Sequence, residues 1–435
     1  METPAAIGLG NGVGPRVPAS IRNGGLWVRR FAGTTPGAIG AIVVVSTVLC
    51  LIAGLACANQ LNGKLNRRDA VLERTEPVAY AAQSLYVALS AADALAAAAF
   101  LSGGIESPEV RTGYQQALAD AAAALAEATT GASDDLTRRI VAQISAELPA
   151  YTGLVESARA NNRQGFPVGS AYLREASSLM QRSLLPNAER LSSQRLTAVR
   201  ADQRDIGALP LTSVMLLLLV LVACGAGSFV LLRLTNRRLN VGLGVAGGAA
   251  AIALVWTVGA TLIAATSVET GRSSVTSQFE ALAQARILAQ QARTDETLQL
   301  VTRGDISAGE HDFVTHTAAL RDCLTNATGS DSAALQRFSR WIFGHRRQLE
   351  AYEAANYPAA VRQAIGAGAD SSATRFADLD REVRDQLAVT RAELREGVDS
   401  AGDALAWSPA GTLVLLLVAG GAVVVGLWPR LQEFL

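Results

Sequence analysis

"LAEATTGASDDL", Leu125 to Leu136, and "LTNATGSDSAAL", Leu324 to Leu335, are nearly the same phrase written twice, roughly 200 residues apart. Laid together without a gap they agree at both end leucines, at the pairs Ala128-Thr129 and Ala327-Thr328, and at Ser133 and Ser332. Each reads as a helix end, a turn and a helix start. Ser133, Asp134 and Asp135 in one copy, and Ser330 and Asp331 in the other, offer the side-chain acceptors and negative charge that a helix N-terminus favours.

Working outward, further markers recur at nearly the same offset. Pro210 and Pro409 each stand at a helix start, where a missing N–H matters least. Gly103-Gly104 and Gly304 each break a long helical pattern. Four helices are predicted in each copy: roughly 64–101, 107–130, 133–161 and 169–206, then 268–303, 307–328, 331–356 and 371–406. The last shows the clearest stripe, with Phe376, Leu379, Val383, Leu387, Leu394, Val398, Ala401 and Leu405 at the spacing of one buried helix face. Its counterpart, Leu173, Met180, Leu184 and Leu191, is interrupted by Pro186, which predicts a kink. At about 1.5 Å per residue the outer helices of each copy exceed about 55 Å and the second reaches only about 35 Å. The quoted turn therefore faces the membrane, and the far tip joins "SGGIES" to "NNRQGFPVG" in one copy and "RGDISAGE" to "NYPAAVRQAIGAGADSS" in the other.

Composition places these helices beside a membrane. Half of the 435 residues are hydrophobic and 17% are charged, too apolar for an ordinary soluble enzyme of this size. Four uncharged runs, Ala38–Cys57, Leu209–Leu232, Val241–Ser267 and Ser408–Leu427, each reach the roughly 20 residues that span a hydrocarbon core. The expected fold is an all-α membrane protein with four transmembrane helices and two tandem extracytoplasmic four-helix bundles related by internal duplication. In order, the segments are a Gly/Pro-rich cytoplasmic leader (1–37), a span (38–57), the first bundle (58–207), a span (208–232), a cytoplasmic loop (233–240), a span (241–267), the second bundle (268–407), a span (408–428) and a cytoplasmic tail (429–435). Arg16, Arg22, Arg29 and Arg30 in the leader, Arg233, Arg237 and Arg238 in the loop and Arg430 in the tail all fall on one side. The positive-inside bias makes that side cytoplasmic. Such a chain is a multi-pass plasma-membrane protein with both termini inside, and the leader ahead of the first run, with no small-x-small cleavage site, favours an anchor over a signal peptide.

Several chemistries find no support. With 38 basic and 38 acidic residues there is no nucleic-acid signature. Three of four cysteines lie in spans and Cys323 has no partner, so no disulfide framework is expected. His311 and His316 do not share a helix face and His345 is remote, so neither a metal site nor any cofactor is expected. No nucleophile elbow, phosphate loop or dinucleotide fingerprint is present, and no charge lies within a span. The chain therefore reads as non-enzymatic. "GLGVAGG" from Gly242 reads instead as close helix packing through a Gly244/Gly248 pair.

Binding is better placed on loops and aromatic-basic clusters. At the first tip the candidates are Asn161, Asn162, Arg163 and Tyr172, beside residues that could do no more than turn the chain. On the third helix of the second copy, "QRFSRWIFGHRRQLE" gathers Arg337, Arg340, Trp341, Arg346 and Arg347, alternatively core aromatics with a solvated basic face. On the inner side, Arg233, Arg237 and Arg238 are candidates for passing a signal on, with headgroup anchoring as the plainer alternative.

The arrangement of span, four-helix ectodomain and span resembles bacterial chemoreceptor and histidine-kinase sensors, here in tandem and without their cytoplasmic output modules. In length, span order and phrases such as "LPAYTGLVESARANNRQGFPVGSAYLREAS", the chain resembles the GlnX family of actinobacterial membrane proteins. That resemblance implies a relay of amino-acid availability from an extracytoplasmic solute-binding lipoprotein, GlnH, to a cytoplasmic Ser/Thr protein kinase, PknG. Membrane lipid is a further partner, and the copies would pair as a homodimer or an internal pseudo-dimer. A direct carboxylate receptor and a structural scaffold are the alternatives.

Overall fold

The computed structural model describes residues 35–103, 106–132, 134–235, 240–272, 275–302 and 306–432. Expectations resting on Arg16, Arg22, Arg29, Arg30, Gly104, Ser133, Arg237, Arg238 and Gly304 fall outside them, as does the side chain of Arg430. Among the described residues every regular element is helical: α1 (Thr35–Ala70), α2 (Glu76–Leu101), α3 (Pro108–Thr130), α4 (Asp135–Arg163), α5 (Val168–Leu179), α6 (Leu185–Gly207), α7 (Leu211–Thr235), α8 (Val241–Arg272), α9 (Val275–Thr302), α10 (Ser307–Thr328), α11 (Ala333–Glu353), α12 (Tyr357–Ile365), α13 (Ser372–Leu405) and α14 (Ser408–Gln432). Single π turns, Val71–Thr75 and Met180–Leu184, join α1 to α2 and α5 to α6. The chain divides into two compact units.

One unit holds the chain up to Asn62, Leu209–Ala260 and the chain from Trp407. Among the described residues four helical segments, Gly37–Leu101, Val168–Arg233, Val241–Ser267 and Ser372–Pro429, contain stretches long and apolar enough to cross a membrane. Small residues let them approach closely: Cys50, Ala53, Cys224, Ala246, Ala250 and Ala419 form the buried seam, while Val45, Leu55, Met215, Val255 and Val425 point outward, as lipid-facing residues do. The tightest approach is not at Gly244 and Gly248, which face open space. It is at Gly242, where a Cβ would run into the carbonyl of Ala422 and the backbone of Gly426. The Gln60 side-chain oxygen accepts from the Ser213 N–H (3.1 Å) and hydroxyl, satisfying a donor that the α7 N-terminus would leave orphaned.

The other unit holds Gly63–Ala208 and Thr261–Ala406. In its first half, α3 lays Tyr114, Ala117, Ala121, Ala124 and Ala128 against the alanine-rich α2, and Leu173, Met180, Leu184 and Leu191 close the core. In the second half, α13 buries seven of the eight residues of the expected stripe, with Phe376 partly exposed. The halves pack on each other through α2 and α9: Ile287 and Val301 enter the first core, and the Gln291 side chain donates to the Tyr86 hydroxyl at 2.7 Å.

The first quoted turn is capped by Asp134, one of the expected residues, and the second by Ser332 rather than by Ser330 or Asp331. The Asp134 carboxylate accepts from the Thr137 N–H (2.9 Å), and the Ser332 hydroxyl accepts from the Leu335 N–H (3.3 Å). Gly131 packs on Val78 at the start of α2, so the first turn and the tip lie at opposite ends of that helix. One further feature differs from expectation. The segment after Asn356, expected as loop, is helix α12, capped by the Asn356 side chain. Pro186, where a kink is expected, lies within an unbroken run of helical residues. It stands just past a π turn, as Pro77 does, and each widened turn accommodates a ring that would otherwise crowd the carbonyl four residues earlier.

Candidate functional site

At the first tip, the C-terminal end of α2 meets the end of α4. The Asn162 side chain donates to the Phe100 carbonyl (3.0 Å), and the Asn161 carbonyl accepts from the Phe166 N–H (2.9 Å) in a turn closed by Gly165 at φ +73°. Both asparagines therefore shape the loop. Tyr172 is partly exposed. Arg163 reaches Glu106, and here the structure adds groups the sequence reading passed over. The Glu106 side chain, 7% exposed, lies 3.2 Å from Arg159 Nε, 3.5 Å from Arg163 Nη2 and 3.7 Å from Arg111 Nη1. Arg159 is itself mostly buried, lies over the Tyr114 ring (5.0 Å) and also pairs with Glu156. Its Nη2 is buried with no hydrogen-bond acceptor among the described residues. Ala96, Phe100, Val155 and Leu173 wall the small cavity beside it. The signal that could have found Arg159 is its place one turn before Arg163, on the same face of α4.

The basic cluster of the second half divides. Arg340, Arg346 and Arg347 are exposed, and Arg337 pairs with Glu382 at 2.9 Å. Trp341, expected at a docking surface, is fully buried between Phe313 and Phe376, so no partner reaches it. Its indole N–H donates to Glu296 (3.2 Å), the centre of a buried network. Glu296 accepts from Arg293 (2.5 Å), from the Ser372 hydroxyl and from His345 Nδ1 (3.1 Å), whose Nε2 meets Glu310 at 3.0 Å. Burial would raise the Glu296 pKa, but Arg293 and His345 override it and hold it at about 2. For His345, burial works against the charge and the two glutamates prevail, raising it to about 9.

Two further carboxylates stand on α2. Asp93, fully buried, accepts from the Tyr151 hydroxyl (3.3 Å) and the Ser177 hydroxyl (3.0 Å). With no cation to offset desolvation, its pKa rises to about 6 despite those hydrogen bonds. Glu76, just after the first π turn, is gripped by Arg391 and by Arg395 (2.6 Å), the latter also donating to the Leu72 carbonyl (3.1 Å). Arg391 lies over the Tyr80 ring at 3.9 Å. This clasp ties the first half to α13. Of the inner-side candidates, Arg233 is exposed and stacks over Phe229 at 4.7 Å; Arg237 and Arg238 are the ones outside the described residues.

A sensor-type bundle holding polar groups at its tip and along its axis is thus in place. Residues 67–204 match the family model of an actinobacterial sensor domain. The match covers the first half of the helical unit, including Glu76, Asp93, Glu106 and Arg159, and supports a role in signalling and sensing for a membrane protein. No curated protein and no solved structure matches the chain.

Proposed function

We propose that this chain is a non-enzymatic transmembrane signal relay. It senses amino-acid availability, of the Asp/Glu/Gln type, through an extracytoplasmic solute-binding lipoprotein, and passes the signal by helix shifts to a cytoplasmic Ser/Thr kinase. The observation that carries this reading is the sensor-domain match on residues 67–204, placed within a chain whose helices include four long and apolar enough to span a membrane. The arginines flanking the spans favour inside termini. The repeated turns and buried carboxylates favour an internal duplication, with the two copies acting as a pseudo-dimer.

Helix architecture supplies a route for the signal. One helical run extends from Gly37 to Leu101 and another from Val168 to Gly207, each carrying one π turn. Such turns often sit at functional sites, and axial shifts of about 1–2 Å are an established signalling scale. The Glu76 clasp beside the first π turn holds one of two packings; a partner seated at the tips favours the other. Crosslinking of the full-length chain in native membranes, with mass spectrometry of everything recovered, tests the relay. It should yield a solute-binding lipoprotein and a soluble kinase; recovery of neither overturns it. A direct carboxylate receptor is the second reading, and the arginines around Glu106 favour it.

A further inference from the structure

We infer that the tip of the first bundle is a binding site for a small carboxylate with a short apolar tail, and that Glu106 is its built-in occupant. Three arginines, Arg111, Arg159 and Arg163, converge on this one carboxylate. Arginine clusters of this kind are the usual recognition device for carboxylates. A purely structural ion pair would satisfy its guanidinium, because leaving buried N–H groups unpaired is expensive. Here the Arg159 side chain is only 12% exposed, yet Nη2 lacks any acceptor among the described residues and Nε meets Glu106 without hydrogen-bond geometry. These groups line a cavity whose other walls are Ala96, Phe100, Val155 and Leu173. Charge on one side and hydrocarbon on the other is the signature of a small amphiphilic ligand.

Space supports displacement rather than simple addition. The cavity measures about 20 Å³, room for a single water while Glu106 is in place. Glu106 directly precedes Ser107, the N-cap of α3, so its side chain can leave without unwinding that helix. A ligand carboxylate entering from solvent takes over the arginine contacts, its tail meets Phe100 and Leu173, and the Glu106 side chain turns out to solvent. One carboxylate replaces another, and the arginines stay paired throughout. The site needs no partner protein, so it stands or falls apart from the relay.

Butyrate is the probe, titrated by calorimetry into the full-length chain in lipid nanodiscs, with butyramide as the uncharged control. Removing the internal competitor by Glu106→Gln should tighten butyrate binding at least about tenfold, the worth of one charge-assisted hydrogen bond. In that background Arg159→Gln should abolish binding, and the solvent-exposed Arg163→Gln, which leaves the core untouched, should weaken it several-fold. Equal affinity with and without Glu106, binding that survives both arginine changes, or no binding to either protein overturns the assignment.

Discussion

Asp93 and Glu296 occupy comparable places and teach opposite lessons. Each is a fully buried carboxylate on the first long helix of its half, facing an aromatic residue on the third helix and a serine further on: Tyr151 and Ser177 for Asp93, Trp341 and Ser372 for Glu296. Their electrostatic settings differ. Glu296 has Arg293 and His345 within hydrogen-bonding distance; Asp93 has the neutral Tyr151, Ser177 and Gln181 side chains and no cation. A buried charge is tolerated only when paired, so the second half is locked by an ion network while the first carries a carboxylate that keeps its proton up to about pH 6. The sensor-domain match falls on the half with the looser arrangement.

The sharpest test makes the same change in both places. Glu296→Gln leaves Arg293 and His345 buried without their counter-charge and should lower stability by about 3–5 kcal/mol, the usual effect of breaking a buried ion pair. Asp93→Asn should do the reverse. The native pKa of Asp93, about 6, lies above the carboxylate reference of 3.8, so the folded state binds the proton more tightly than the unfolded state. Stability from this group is gained as pH falls from about 6 toward 4, and the burden of the ionised form is complete above about 6. At pH 8 the amide should therefore stabilise the protein by up to about 3 kcal/mol, two pKa units' worth, and by nothing near pH 4. Thermal unfolding of both variants across that range decides; the same sign for both would break the comparison.

A smaller effect concerns the alkaline side. The pKa of His345 is raised to about 9, so its contribution is complete below about 6.5 and is lost as pH climbs through 9. His345→Gln should flatten the fall in stability between pH 7 and 9 that the wild type shows. Glu296, held at about 2, contributes fully above about 4.5 and loses that contribution only as pH falls toward 2. The smallest contrast lies in the twin turns. Ser332→Ala removes one cap bond, about 1 kcal/mol, whereas Asp134→Ala also strands Arg195, a buried guanidinium, and should lower the melting temperature about twice as far.

The spans, the α13 stripe and the paired turns were legible because hydropathy and helical periodicity are local signals. Side-chain destinations were less so. Trp341 shares a helix with four arginines, and only the packing of Phe313 and Phe376 shows that it faces inward. Helix α12 hid behind its proline and the glycines that follow, although Pro358 sits in the first turn of a helix, where proline is welcome. Asp93 left a trace that could have been read: it is the one charged residue between Glu76 and Glu106. A lone charge in so apolar a helix is either a flaw or a buried device. Glu76 and Arg391 lie more than 300 residues apart, and nothing short of the fold brings them together.

That clasp gives the most direct test of the relay. Phosphorylation of substrates of the proposed partner kinase can be followed in cells before and after adding glutamate, with wild-type chain or Glu76→Gln at matched membrane levels. The account predicts a response in the wild type and a fixed output in the variant, whose halves no longer hold the clasped packing. A variant that responds as the wild type does, or a wild type that does not respond, would contradict it.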